Sequence, residues 1–213
     1  VRPGTSNLDR SAPALPSFGD DSKANLIPFA AMCAGFLAPL LRFWAGVLGF
    51  VTFSGAPPVD TKWRVASFLA ICGVSAAAWW LPRSWYRTRS FERNGRIYEY
   101  AGVHLFRRLV PNGDWVNAWR RRQDPSFRAV RNHDHAMQLL RRTVIGEKSH
   151  LVMLCLGFAS AAYAWRIGWL GWAAYLSAAN LLANLYPILL QRYTRARIDR
   201  MNGRPKRNGI EPR

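Results

Sequence analysis

The chain has 213 residues, half of them apolar, and carries 30 Lys and Arg against 12 Asp and Glu, a formal net charge of +18. That length would fit one soluble domain, but the apolar residues gather into long runs separated by Arg-rich segments, which argues against a single soluble core. The pattern predicts an all-α, multi-pass membrane protein with about four spans, whose mean hydropathy of −0.11 averages two unlike populations.

Residues 1–25 contain no apolar core of the kind a secretory signal has and read as a flexible lead-in. A membrane domain is expected over 26–198, with spans at about 26–53, 65–81, 150–165 and 168–190, and a basic tail over 199–213. Pro39 and Arg42 interrupt the first apolar run, from Leu26 to Phe53, which reads as one kinked crossing rather than a re-entrant pair. The second runs from Val65 to Leu81 and is stopped by Pro82. Leu151 to Leu190 is too long for one crossing and carries "RIGW" in its middle, so it predicts a helical hairpin.

Between the second and third spans, residues 82–149 form an Arg- and Trp-rich cytoplasmic segment. "WVNAWRRR" predicts a short helix lying in the interface, its rings at headgroup depth and its arginines towards phosphate. "PNGD", Pro111 to Asp114, predicts a turn, because proline presets φ and Asn-Gly tolerates positive φ. The same segment also reads as a plain cytoplasmic loop with solvated charges. From Asp134 onward the apolar spacing predicts an amphipathic helix leading directly into the third span. Arginine bias places the central segment and both termini on the cytoplasmic side, and anionic phospholipid is an expected partner. No nucleic-acid recognition module accompanies the charge, so nucleic acid is not an expected partner.

Candidate chemistry lies at the membrane entry of the third span. On a helix, Thr143, Glu147 and His150 fall within about 60° of one another. An ionisable pair there is expensive unless partnered, which makes it a candidate functional site. A Glu147 carboxylate accepting from one imidazole nitrogen would leave the other nitrogen of His150 free to take a proton from a hydroxyl. The same residues also read as a polar helix end bonded to headgroups. In the last span Asn180, Asn184, Gln191 and Arg195 share a stripe, suited to a polar ligand or to interhelical packing, and Pro187 should free the carbonyl of Ala183. Cys33, Cys72 and Cys155 read as small apolar residues, and His133 and His135 as surface groups flanking a helix-capping Asp134. No metal or cofactor is expected.

Taken together, "RIYEYAGVHLFRRLVPNGD", "TVIGEKSH" and "NLYPILLQRYTRARI" resemble the glycosyl-4,4'-diaponeurosporenoate acyltransferase family, over about Val65 to Ile198. The family's motif positions fall on Tyr98, Glu99 and Gly102, on Thr143, Glu147 and His150, and on Asn184, Gln191, Arg192, Tyr193 and Arg195. The first apolar span looks like an addition to the family pattern. The resemblance implies a bacterial inner-membrane enzyme that moves a fatty acyl group from coenzyme A or acyl carrier protein to a hydroxyl of a glycosylated carotenoid or similar glycolipid. It implies His150 as base and Glu147 as the group that orients it, with Arg192 or Arg195 and Asn184 or Gln191 stabilising the oxyanion or holding the sugar. Thr143, Tyr193 and Glu99 complete the expected substrate-binding set. The other reading is a non-catalytic accessory subunit that binds lipid or pigment beside other membrane subunits, suggested by the added span and the many Trp and Arg residues.

Overall fold

A computed structural model of the chain describes residues 18–52, 60–110, 113–127 and 133–202, and these are helical with short connections. Four helical stretches are long and apolar enough to cross a membrane: Asn25–Val47, Thr61–Trp80, Ala136–Arg166 and Leu170–Arg200. The protein is therefore a membrane protein of the all-α class. The expected lead-in before residue 18, the tail after 202, and Pro111 and Asn112 of the expected turn lie outside the described residues.

The first crossing is one continuous, distorted helix: α1 (Phe18–Met32), a wide turn over Cys33–Leu37, and α2 (Ala38–Val47). Pro39 has no N–H to give to the carbonyl of Gly35 four residues back, and the Tyr175 hydroxyl donates to that carbonyl at 2.8 Å. The helix ends at Val47, short of the expected Phe53, because Gly49 adopts φ 87° and lets the chain close a Schellman cap. In that cap the Phe50 N–H bonds to the Ala45 carbonyl at 2.8 Å, and the Gly49 N–H to that of Gly46 at 3.2 Å.

The second crossing is α3 (Thr61–Ala77), which Asp60 caps by accepting from the Lys62 N–H at 3.0 Å. A tight turn over Ala78–Trp80 then leads to Pro82, as expected. Short helices follow: turns at Arg83–Tyr86 and Ser90–Glu92, then α4 (Arg96–Tyr100), α5 (Val103–Leu109) and α6 (Asp114–Gln123). The helix expected at "WVNAWRRR" is α6. It buries Val116 and exposes Trp115 and Trp119, and an Arg107–Asp114 ion pair of 2.8 Å ties it to α5.

The third crossing belongs to α7 (His133–Arg166), a single helix of 34 residues that incorporates the expected amphipathic lead-in. Gly168, at φ 82°, turns it into α8 (Leu170–Asn180), a second wide turn over Leu181–Leu185, and α9 (Tyr186–Asn202). Lipid tails are as apolar as leucine, so the helices gain from close fit and hydrogen bonds rather than from escape from water. Phe36, Leu40, Phe43 and Trp44 of the first crossing accordingly pack against the small residues Ala161, Ala164 and Ala173. Trp44 stacks on Tyr163 and donates its indole N–H to buried Ser160 at 2.9 Å. A separate cluster of Tyr98, Val103 and Tyr193 docks α4 and α5 onto α9.

Candidate active site

The expected face of α7 packs against the expected stripe of the last crossing. Glu147, Asn180, Asn184 and Arg195 are all buried at their contact, Glu147 with only 1% of its surface accessible. The helices approach closely at two glycines. A methyl group on Gly146 would lie 2.5 Å from the Gln191 amide nitrogen, and one on Gly157 would overlap the amide of Asn180.

His150 does not receive the expected partner. The Glu147 oxygens bind guanidinium groups: Oε1 accepts from Arg192 Nε at 2.7 Å, and Oε2 accepts from Arg195 Nη2. The reason is charge, since two fixed cations on α9 outbid a neutral imidazole for a buried carboxylate. His150 Nδ1 instead meets Asn184 Oδ1 at 3.1 Å. The roles in that contact follow from a chain with a fixed end. Asn180 Nδ2 donates to the Leu154 carbonyl at 2.9 Å, which can only accept, so Asn180 Oδ1 is left to accept from Asn184 Nδ2 at 2.8 Å. Asn184 therefore turns its oxygen to the ring, and His150 carries its proton on Nδ1. In that tautomer Nε2 is the basic nitrogen. Pro187, lacking an N–H, deprives the Ala183 carbonyl of its i+4 helical donor. The wide turn over Leu181–Leu185 carries Asn184 into this position.

Arg192 also reaches the loop above it. Its Nη1 donates to Glu92 Oε1 at 2.9 Å and its Nη2 to the Trp85 carbonyl at 3.1 Å. Glu92, Glu147, Arg192 and Arg195 thus form a quartet with balanced charge. Burial favours the neutral form of Glu92. The Arg89 N–H, the Tyr98 hydroxyl and the Arg192 guanidinium together outweigh that effect and hold its carboxyl below the ordinary range. Burial, then its bond to Glu92, push the Tyr98 phenol up, so it remains a donor.

The remaining expected residues divide. Thr143 is buried and donates its hydroxyl to its own helix at Leu140, 2.7 Å away. Gln191 Oε1 is buried without a partner among the described residues, and so are Arg195 Nε and Nη1. Tyr193 and Glu99 belong to a neighbouring group: the Tyr193 hydroxyl donates to Glu99 Oε1 at 3.4 Å, and His104 Nε2 lies 3.6 Å from that oxygen. Among the described residues no cluster of His, Cys, Asp or Glu could hold a metal, and Cys33, Cys72 and Cys155 are free and half-buried. The side chains of His133 and His135 lie outside the described residues.

Glu92 and Trp85 were missed as partners of the site, Tyr98 was placed on the family motif without a part in it, and Asn180 was missed as the residue that orients Asn184. Glu92 did leave a signal, as an isolated acid in the arginine-rich run "RTRSFERNGR". Its helical register says nothing of α9, 100 residues away.

The sequence pattern of the glycosyl-4,4'-diaponeurosporenoate acyltransferase family matches residues 82–204, more than half of the chain and all of this site. The chain belongs to that family. Both of the first two crossings precede the matched region, so the match begins after the second crossing and not at Val65, where the resemblance was expected to start. Comparisons with curated proteins and with solved structures gave no match.

Proposed function

We propose that the protein is an O-acyltransferase of the cytoplasmic membrane that moves a fatty acyl group from a thioester to a hydroxyl of a glycosylated carotenoid or similar glycolipid. The observation that carries this reading is the one-way amide chain from Leu154 through Asn180 and Asn184, which fixes His150 with a basic Nε2. Nε2 takes the proton of the acceptor hydroxyl as its oxygen attacks the thioester carbonyl. The C–S bond of the tetrahedral adduct then breaks, and the departing sulfur takes that proton back from Nε2. Asn184 Oδ1 stabilises the imidazolium between the two steps. Arg192 gives three of its donors to Glu147, Glu92 and Trp85, so its part is to hold the loop over the site.

His150→Gln keeps the shape of the site and removes the base. Transfer of labelled acyl groups to a glycosylated carotenoid by the purified protein should fall by about 10²- to 10⁴-fold, with an unchanged melting temperature. Transfer at the original rate would reject the assignment.

A further inference from the structure

Beside the quartet, on the side away from His150 along α7, a cleft of about 900 Å³ opens between α7, α9 and residues 86–94. Its walls hold Arg87, Arg93, Arg141, Arg195 and Arg200 against a single carboxylate, Asp199. Asp199 accepts from Thr88 at 2.7 Å, and Arg200 donates to the Arg93 carbonyl at 2.9 Å. Arg195 is balanced within the quartet, and the other four arginines of the walls outnumber the one carboxylate. Two buried groups at the cleft have polar atoms without partners among the described residues: Arg195, 5% exposed, with Nε and Nη1, and Tyr86, 4% exposed, with its hydroxyl. Burial, then the Glu147 carboxylate, push the Tyr86 phenol above its ordinary range, so at neutral pH it is a hydrogen-bond donor. A cleft walled by guanidinium groups, with these unpartnered donors on two of its lining side chains, suits an anion with several acceptor oxygens.

We propose that this cleft binds the phosphate groups of a nucleotide-type acyl carrier, chemically coenzyme A, and that it is the donor's docking site in the reaction proposed above, on which this reading rests. Spacing favours this carrier over a phospholipid donor. Arg141 and His150 are nine residues apart on one helix, about 13 Å along its axis. The pantetheine arm of coenzyme A separates phosphates from thioester and can bridge that gap, whereas the esters of a phospholipid are joined to its phosphate only through the short glycerol backbone. The cleft is also of the size that cofactor sites occupy.

The test uses the full chain in nanodiscs of zwitterionic lipid, with unacylated coenzyme A as the probe in titration calorimetry. Coenzyme A should bind with an affinity that falls as salt rises, dephospho-coenzyme A more weakly, and pantetheine undetectably. Arg93→Gln and Arg141→Gln should each raise its Kd about tenfold without changing the melting temperature. Absence of binding, binding indifferent to both substitutions, or equal competition by inorganic phosphate or phosphatidylglycerol would overturn the proposal. Acyl transfer from a small phosphate-free thioester separates this idea from the enzymatic one. Transfer from that donor as efficient as from acyl-coenzyme A, with transfer from acyl-coenzyme A unchanged in both variants, rejects the cleft and leaves the acyltransferase standing. Coenzyme A binding as expected, without transfer from any donor, does the reverse.

Discussion

Glu147 is read differently by pattern and by packing. The sequence places it on the stripe of Thr143 and His150, and that part is legible because a helix repeats its face every three to four residues. Its partners were not legible, since they depend on how α9 is rotated against α7, and the arginines three residues apart there take both carboxylate oxygens. Its part is thus that of a positioning residue, holding Arg195 at the cleft and Arg192 under the loop. Glu147→Gln would leave two buried guanidinium groups short of a counter-charge. It should lower stability by about 3–5 kcal/mol, read by thermal unfolding in detergent. A change below about 1 kcal/mol would mean that water, rather than the carboxylate, balances those cations.

At the level of elements, two glycines set how tightly α7 and the last crossing close. An alanine ordinarily favours a helix over glycine by about 1 kcal/mol, so Gly157→Ala would be benign on propensity alone. Here its methyl group would overlap the short, fully buried amide of Asn180. That displaces the middle of the chain that orients His150. We expect Gly157→Ala to reduce the rate of acyl transfer at least tenfold while the unmodified His150 remains, and comparison of kcat between the variants checks this. Gly146→Ala meets instead the far end of a flexible Gln191 and should cost less. The helices and the break at Pro82 were legible from apolar runs and proline. The wide turns at Cys33–Leu37 and Leu181–Leu185 were only partly so, since proline flags a disturbance but not its shape or its new partners.

For the whole molecule, four crossings would return α9 to the side from which α1 departs, with α4, α5 and α6 on that same side. Arg120, Arg121 and Arg122 end α6 there, and exposed Trp115 and Trp119 suit headgroup depth. Arginine bias leads to the expectation that this side is cytoplasmic. A single cysteine at Arg121, with Cys33, Cys72 and Cys155 replaced by serine, should resist an impermeant maleimide in intact cells and react in inverted vesicles. The opposite labelling would reverse the topology. The number of crossings was legible because bilayer thickness acts on composition. The docking of the first crossing was not, as it depends on aromatic rings meeting alanines more than 100 residues away: Trp44 and Ser160 are 116 apart.

The quartet of Glu92, Glu147, Arg192 and Arg195 also constrains how such a protein can diverge. A drift that neutralises one member strands an odd charge in an oily setting, so viable descendants must change members two at a time, one of each sign. The loop and the final helix are thereby bound into a single unit of inheritance, although the chain writes them a hundred positions apart.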